Sequence, residues 1–380
     1  MKMTQLPTAR SWAEINLDNI AGNYRAFCRH TQKNGRKPEV MCVVKANAYG
    51  HGSAAVAKKL EAAGCGWFGV ATANEAFELR NAGVRGKILV FNHIEESKIE
   101  AAAEADIALT VYSREMAAGI SVAAKKPVDV HIKADTGLNR VGFAHDSADG
   151  IDSIMEAAAL PNIRVEGLFT HFASSYEADA SYTGLQTERL SALAKALGDR
   201  GLRPGFLHAA NSAAAIAHPR AHFDMVRIGI SLYGCRPSPQ MDMGGLAIKP
   251  CMELKTQIYR LARLAPGQPV SYGGLFVTKR PSLVATMPIG YADGVSGALT
   301  GKLEVLVNGQ RAPVVGKICM DQCMADVTDI KGEISLHDEV VVFGGQNGGF
   351  IPVEQPAAQM GIINYEMLCK VSARVPRVYV

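Results

Sequence analysis

The segment MCVVKANAYGHGSAAVAKKLEAAGCGWFGVA (41–71) contains the unit that decides the fold. Two short apolar runs, MCVVK (41–45) and WFGVA (67–71), enclose an alanine-rich stretch that is typical of a helix. We expect Ser53 to cap this helix and Gly64 to end it. The segment therefore predicts a strand, a crossover helix and a second, parallel strand.

The same unit recurs along the first part of the chain. Thr72 and Glu75 form a capping-box pattern for the next helix, which Gly83 ends. Eight apolar runs can be counted: 41–45, 67–71, KILVF (87–91), IALTV (107–111), VDVHIK (128–133), VEGLFTHF (165–172), FLHAA (206–210) and MVRIGI (225–230). Eight β/α units in about 240 residues predict a (β/α)8 TIM barrel with its active site at the C-terminal strand ends. An open, doubly wound sheet is the alternative.

A mainly-β domain is expected after the barrel, so the predicted fold class is α/β with domains 1–240 and 241–380. From residue 251 onward strands and turns alternate, and Asn308-Gly309 has the pattern of a type I′ hairpin turn. The early run SWAEINL (11–17) is a candidate strand that would join the β-rich domain rather than the barrel.

The composition is that of a folded globular protein. Of 380 residues, 48% are apolar and 20% charged, which excludes disorder and fibrous repeats. The net charge of +4 includes no dense basic block, so no nucleic acid partner is expected. No apolar run approaches a membrane span and the start lacks the apolar region of a signal peptide, so we expect a cytoplasmic protein without a membrane partner. The eight cysteines predict buried free thiols, and no metal site is expected.

Lys45 is the first candidate for chemistry. It follows three apolar residues at the end of a buried strand and precedes a short polar loop. Partial desolvation disfavours the ammonium form and leaves a nucleophilic amine of the kind that forms Schiff bases. The alternative is a lysine whose stem covers the strand end while its ammonium group reaches water.

The loops after strands 7 and 8 predict a phosphate site. Arg227 lies inside the apolar run 225–230 and must find acceptors. Gly229 would let backbone N–H groups approach a phosphate at the place where barrels usually bind one. Asn211-Ser212 follows strand 7, where Ser212 would cap the next helix, whose N-terminus could hold the same phosphate. An ordinary helix cap is the alternative.

Further polar side chains follow strands 5 and 6. Asp129, His131 and Lys133 share one face of strand 5, and we expect that face to point into the barrel. Arg140 follows in the next loop, and two buried cations, Lys133 and Arg140, would need an anion. His171 ends strand 6 and is either a site residue or a core histidine paired with a backbone group.

These residues lie in motifs that resemble those of the alanine racemases. The shared motifs are KANAYGHG (45–52), KADTGLNRVGF (133–143), GLFTHFA (167–173), HAANSAAA (208–215), MVRIGISLYG (225–234), VSYGG (270–274), PIGYADG (288–294), GKICMDQCM (316–324) and NYEMLCKVSARVPRVY (364–379). They occur in the family's order, so the resemblance covers essentially the whole chain. It implies a pyridoxal 5′-phosphate (PLP) enzyme that acts on alanine, for peptidoglycan or for alanine catabolism. It also implies a head-to-tail homodimer with active sites between subunits.

The resemblance assigns roles residue by residue. Lys45 matches the lysine that binds PLP covalently, and Tyr272 matches a second catalytic base that reaches in from the partner subunit. The positions that match cofactor-binding residues around the phosphate are Tyr49, Asn211, Ser212, Gly229, Ile230 and Tyr365.

Other positions match residues around the ring and the substrate. Arg227 matches the arginine that faces the pyridine nitrogen, and His171 matches its neighbour. Arg140 matches an arginine near the phenolic oxygen of the cofactor and the substrate carboxylate. Met320 matches a backbone contact to the substrate, and Lys133 matches a lysine that is carbamylated in many members, which would supply the missing anion.

Three departures from the family pattern concern the entrance: Tyr176, Gly297 and Lys317 stand where aspartate, arginine and arginine are usual. The rival enzyme is a serine or broad-spectrum amino-acid racemase, although the bulk of Tyr365 favours a small substrate. A PLP-dependent decarboxylase would be expected to place a carboxylate at the ring nitrogen. The non-enzyme alternatives are a PLP-carrier barrel, against which the β domain and Tyr272 speak, and a binding module without cofactor.

Overall fold

The structure, a computed structural model, describes residues 9–32 and 37–380. The described chain forms two compact units. The barrel unit comprises the described residues of 18–48 and 52–249, and the β unit comprises those of 1–17, 49–51 and 250–380.

The strands are, in chain order, β1 (Ser11–Ile15), β2 (Glu39–Val43), β3 (Trp67–Val70), β4 (Lys87–Val90), β5 (Ile107–Val111), β6 (Val128–Asp135), β7 (Phe143–Ala144), β8 (Ile163–Phe169), β9 (Phe206–His208), β10 (Met225–Ile228), β11 (Met252–Gln257), β12 (Arg260–Leu264), β13 (Pro269–Val270), β14 (Phe276–Val277), β15 (Ser282–Met287), β16 (Glu304–Val307), β17 (Gln310–Val315), β18 (Cys323–Asp326), β19 (Glu339–Gln346), β20 (Gly349–Ile351) and β21 (Arg377–Tyr379).

The helical segments are α1 (Leu17–Thr31), α2 (Lys45–Tyr49), α3 (Ser53–Ala62), α4 (Ala73–Asn81), α5 (Glu96–Glu104), α6 (Arg114–Ala123), α7 (Ala148–Ala159), α8 (Ser181–Asp199), α9 (Ser212–Ala217), α10 (Glu354–Gln359) and α11 (Asn364–Cys369). Short 3-10 turns span Pro219–Ala221, Ile230–Tyr233, Tyr272–Gly274, Tyr291–Asp293 and Gly297–Leu299. Among the described helices, none combines the length and the apolar character that crossing a membrane requires.

The barrel unit is a closed parallel sheet. Its ring order, taken over the described strands, is β2, β3, β4, β5, β6, β8, β9 and β10, and β10 pairs with β2 to complete the ring. Both faces of such a sheet are covered, which explains why its strands are near-continuous apolar runs. The predicted (β/α)8 barrel is confirmed, and the open sheet is wrong.

Of the caps expected for α3 and α4, one agrees with the sequence pattern. Thr72 and Glu75 form the expected capping box at the start of α4. The cap expected of Ser53 is wrong, because Gly52 occupies the cap position of α3 without a side-chain bond. The Ser53 hydroxyl instead donates to Glu78 Oε1 at 2.8 Å.

The β unit is built on a mainly antiparallel sheet in the order β12-β15-β18-β17-β16-β19-β11-β1-β21, with β20 beside β19. The N-terminal strand β1 pairs antiparallel with β11 and parallel with β21. Asn308 and Gly309 join β16 to β17 with φ angles of 51° and 72°. Positive φ at both central residues is the mark of the type I′ turn that their sequence predicts.

Candidate functional site

Lys45 lies at the carboxyl end of β2, directly after the buried Val44. The backbone of Ala46, Asn47 and Ala48 then turns in the left-handed sense, with φ of 53° at each residue. Residues with a Cβ rarely adopt this conformation, which costs about 1–2 kcal/mol for each of them. The surrounding contacts must therefore hold this turn.

Side-chain hydrogen bonds hold the left-handed turn in place. Glu75 Oε1 accepts a hydrogen bond from the backbone N–H of Ala46 at 2.7 Å. Its other oxygen accepts from the backbone of Ala71 at 2.7 Å, so one carboxylate ties the start of α4 to the turn. Asn47 Oδ1 accepts from the backbone N–H of Ser53 at 2.9 Å. The turn that carries Lys45 is thus fixed at both ends.

Lys133, near the carboxyl end of β6, is surrounded by other cations. Its side chain is buried, and burial lowers the pKa of Lys133 to about 8. The positive charges of Arg140, Arg227 and Lys45 contribute to this lowering of the pKa, and Asp135 opposes it. Like charges lower the pKa of a lysine only over short distances. The cations predicted from the sequence therefore lie close together at one end of the barrel.

Arg227 on β10 is buried and makes several hydrogen bonds to the barrel. Its guanidinium donates to the carbonyl oxygens of Thr170 at 2.8 Å and Ala209 at 2.9 Å, and to His208 Nδ1 at 2.8 Å. Burial, with the charge of Arg140, lowers the pKa of Arg227 to about 9. Arg227 therefore remains a cation at neutral pH.

The expectation that Arg140 is buried is wrong, because its side chain is exposed on the loop after β6. The buried cations of the barrel end are Lys133 and Arg227. His171 is half-buried, and its Nδ1 lies 3.3 Å from Arg227 Nη2. Burial and the Arg227 charge hold the pKa of His171 well below its usual range, so the ring is a neutral acceptor.

The loops after β9 and β10 contact each other through Ser212. The expected cap by Ser212 is wrong, since Asn211 caps α9 by accepting from the Ala214 N–H at 3.0 Å. This leaves Ser212 Oγ to accept from the Gly229 N–H at 3.0 Å. Ile230 follows directly and is buried.

His208 is a neighbour of Arg227 that the sequence analysis missed. It is fully buried on β9, and the Phe169 ring stacks parallel to it at 4.8 Å between centroids. The same Phe169 ring lies 5.3 Å from Arg227 Cζ and 5.7 Å from Lys133 Nζ. A polar residue in the apolar run FLHAA was the only signal for His208.

Tyr49 and Tyr365 both belong to the β unit and lie side by side. Their ring centroids are 6.2 Å apart. Tyr49 is buried, and burial raises the pKa of its hydroxyl well above the usual range. Tyr49 is therefore a neutral hydrogen-bond donor, as a group that holds a phosphate oxygen must be.

Tyr272 and Met320 line the same open pocket of the β unit, about 670 Å³ in volume. Tyr272 is 72% exposed and Met320 is 53% exposed. Ser271, which precedes the tyrosine, donates from Oγ to the Lys317 carbonyl oxygen at 2.7 Å. The structure thus brings together the predicted second base and the predicted substrate contact.

The loop that presents Met320 is bound to the loop 290–294. The backbone N–H of Ala292 donates to the Met320 carbonyl oxygen at 3.0 Å. A Cβ at Gly290 would lie 2.5 Å from that oxygen, so only glycine allows this approach. Asp293, buried, accepts from Arg374 Nε at 2.7 Å, and Arg374 also pairs with Asp321.

The three entrance positions are exposed. Tyr176 lies on the barrel unit beside His218 in a separate pocket, and 48% of its surface is accessible. Gly297 and Lys317 belong to the β unit. A different residue at any of these positions would change the surface and leave the packed core as it is.

Family models match nearly the whole chain. One described as "Alanine racemase, N-terminal domain" matches residues 15–237, and one described as "Alanine racemase, C-terminal domain" matches residues 251–379. The alanine racemase of Methanococcus maripaludis is 43% identical over 371 residues, which are 97% of this chain and 98% of that protein. That of Clostridium novyi (strain NT) is 41% identical over 372 residues, 97% of this chain and 95% of that protein.

Solved structures show the same architecture. The alanine racemase of Clostridium difficile 630 has a TM-score of 0.93 and 37% identity, with 99% of this chain and 97% of that chain covered. The alanine racemase from Bacillus anthracis with bound L-Ala-P has a TM-score of 0.89 and 35% identity, with coverage of 99% and 96%.

Proposed function

Because the chain belongs to the alanine racemase family, and so is an amino-acid isomerase, we propose that it interconverts L-alanine and D-alanine with PLP by a two-base mechanism. The observation that carries the proposal is the group of cations, Lys45, Arg140 and Arg227, around Lys133 at the carboxyl end of the barrel. The product would serve peptidoglycan synthesis or, in the reverse direction, alanine catabolism.

The residues of this barrel end fit PLP. Repulsion from the neighbouring cations lowers the pKa of the buried Lys133, and such a group of positive charges favours an anionic ligand such as a phosphate ester. Lys45 supplies the amine that the aldehyde of PLP requires. The groups proposed to hold the phosphate are Tyr49, Asn211, Ser212, Gly229, Ile230 and Tyr365. When bound, PLP withdraws electrons from the α-carbon and so makes the α-proton of alanine acidic.

Two bases are needed because a single base would return the proton to the face from which it came. We assign the face from which D-alanine loses its proton to Lys45. The opposite face is assigned to the partner subunit's Tyr272. Arg140 would bind the substrate carboxylate, and the backbone of Met320 would complete the contact.

Arg227 would donate to the pyridine nitrogen, with His171 beside it. Its pKa of about 9 keeps it charged at neutral pH, so that nitrogen receives a hydrogen bond and no proton. The ring is then a weaker electron sink, which suppresses transamination. This assignment favours a racemase over an aminotransferase or a decarboxylase.

A second copy of the chain is proposed to cover Tyr272. A general base that is 72% exposed is solvated by water and cannot act in a dry site. A head-to-tail homodimer would bring the Tyr272 pocket of each chain to the barrel of the other. The exposed Arg140 supports the same arrangement, because it too would be covered.

The direct test is incubation of the purified chain and PLP with single L-amino acids, followed by chiral separation. We expect D-alanine as the fastest-formed product, because Tyr365 leaves little room beyond a methyl group. Faster formation of D-serine would favour the serine racemase alternative. Borohydride reduction should fix PLP to the peptide with Lys45, and a label elsewhere would contradict the assignment.

The two-base assignment makes a separate prediction for Tyr272→Phe. Phenylalanine cannot exchange a proton, so racemisation should fall at least about 100-fold, the lower range for a positioned general base. Lys45 remains, so the variant should exchange the α-proton of D-alanine with solvent deuterium much faster than that of L-alanine. Equal exchange from both enantiomers, measured by NMR, would refute the role of Tyr272.

A further inference from the structure

A line of buried polar side chains runs through the barrel from Arg227 to Glu166. Arg227 Nη1 lies 2.8 Å from His208 Nδ1, and His208 Nε2 lies 2.8 Å from His131 Nδ1. His131 Nε2 lies 3.5 Å from Glu166 Oε2. Neither of these last two buried atoms has a hydrogen-bond partner among the described residues. Buried polar atoms rarely stay unpaired, so the two are matched to each other.

The arginine sets the direction of every proton in this line. Arginine only donates, so His208 Nδ1 must accept and its proton must sit on Nε2. That N–H donates to His131 Nδ1, which places the His131 proton on Nε2, facing Glu166. Burial holds the pKa of His208 well below its usual range, and burial also lowers the pKa of His131, so both rings are neutral.

The barrel wall fixes both imidazole rings. Phe169 lies parallel to His208, with an interplanar angle of 1°. Phe206 stacks on His131 with an angle of 11°. A Cβ at Gly167 would lie 2.3 Å from His131 Nδ1, so only glycine leaves room for this ring. The rings cannot turn over to exchange their nitrogens without disturbing the core.

We propose that Glu166 is a positioning residue that accepts at the far end of this line, keeps the protons of His131 and His208 in the order that Arg227 requires, and thereby holds the Arg227 guanidinium in place. Its two oxygens face two donors: Oε1 accepts from Lys87 Nζ at 3.0 Å, and Oε2 lies 3.5 Å from His131 Nε2. The ordering of protons is a property of the chain alone. Its consequence for PLP rests on the proposed function, in which Arg227 contacts the pyridine nitrogen.

Glu166→Gln tests the order of the protons on His131 and His208, because one accepting oxygen becomes a donating NH2 group. Lys87 only donates, so the amide oxygen must turn to Lys87 and the NH2 group must face His131. His131 must then accept on Nε2 and donate from Nδ1. His208 would in turn present an N–H to Arg227, and two donors would face each other. The substitution keeps the shape of the side chain and reverses the direction of the hydrogen bonds through His131 and His208.

The measurement is ¹⁵N NMR of labelled histidines in the full chain, with and without PLP. In the natural sequence we expect both rings to be neutral with the proton on Nε2 at pH 7. In Glu166→Gln we expect the His208 proton on Nδ1 and PLP binding weakened about tenfold, the scale of a lost hydrogen bond to a charged group.

Two further variants separate proton order from stability. Asp129→Asn is the matched control, because Asp129 pairs with Lys87 at 2.9 Å and with Arg164 but has no described bond to His131. It should leave the histidine signals unchanged and PLP affinity within about twofold. In Glu166→Gln/Lys87→Met, the amide oxygen is free to turn to His131. This double variant should recover the natural histidine signals and PLP affinity.

The outcomes are distinct. A His208 proton on Nδ1 or a doubly protonated ring in the natural sequence would overturn the proposal, and that measurement needs no variant. Unchanged signals in Glu166→Gln, or PLP affinity equal to that of Asp129→Asn, would also overturn it. If the protons are ordered as expected and no amino acid is racemised, the proposed function fails while the ordering stands.

Discussion

Lys133 is a buried lysine whose amine loses its proton easily. Burial lowers the pKa of Lys133 to about 8, so near that pH about half of the amine is neutral. A neutral amine combines with CO2 and releases a proton to form a carbamate, which is an anion. An anion at this position would pair with the arginines that now repel Lys133. The proposed carbamate therefore follows from the charge of the site as well as from the resemblance.

We predict that Lys133→Ala lowers racemase activity by about 100-fold, the cost of misplacing a group by about 1 Å, here Arg140 in its proposed contact with the substrate. Acetate should partly restore the variant, because it supplies the missing carboxylate, and should not stimulate the natural enzyme. Mass spectrometry under CO2 should show the carbamate above pH 8 and its loss below, where the amine is protonated. A fully active alanine variant would speak against the carbamate.

Among single residues, the sequence predicted those whose charge conflicts with their apolar sequence neighbours. Lys45, Lys133 and Arg227 could be found because each is a cation in or after an apolar strand. The exposure of Arg140 could not be predicted, since the loop after β6 has no pattern that sets its path. The bond between Arg227 and His208 spans 19 positions and depends on neighbouring strands, so it needs the three-dimensional register.

Among the elements, the left-handed turn after β2 stores backbone strain at four consecutive residues, 46–49. Ala46 has φ of 53° and is exposed, so its methyl group contributes little packing. Glycine adopts this conformation without the cost of about 1–2 kcal/mol that alanine carries, although it loses about 0.5–1 kcal/mol in chain entropy. The net effect of Ala46→Gly should be stabilising.

We predict that Ala46→Gly raises the free energy of unfolding by about 0.5–1 kcal/mol. The matched control is Ala118→Gly, an exposed alanine in the right-handed helix α6, which should lose about 1 kcal/mol. Thermal unfolding of both variants, followed by circular dichroism, should therefore show shifts of opposite sign. A loss of stability in both would mean that the turn carries no strain.

The barrel strands and one hairpin turn could be predicted from local sequence patterns. The eight barrel strands were predictable because buried parallel strands are apolar on both faces, and IALTV coincides with β5. The type I′ turn was predictable because Asn-Gly favours positive φ. The turn at residues 46–49 was not, because alanine carries no signal for left-handed backbone and the contact from Glu75 that holds it comes from another helix.

In the whole molecule, the two proposed bases lie in different units. Lys45 belongs to the barrel unit and Tyr272 to the β unit, where it is exposed beside Met320. In the proposed head-to-tail dimer, each reaction site takes its lysine from one chain and its tyrosine from the other. Activity then belongs to the pair of chains rather than to either chain.

The last prediction follows from this division and uses two inactive variants. Lys45→Ala lacks one base and Tyr272→Phe lacks the other, so each homodimer should be inactive. If subunits exchange, half of the dimers in an equal mixture are heterodimers, and each has one site with both natural bases. The mixture should therefore regain about one quarter of the natural activity per chain, a value set by the symmetry of the pairing. Differently tagged chains verify the exchange, and Lys45→Ala/Tyr272→Phe mixed with the natural chain is the control. If the bases acted within one chain, that control would keep an intact site in each heterodimer, whereas the mixture of single variants would stay inactive.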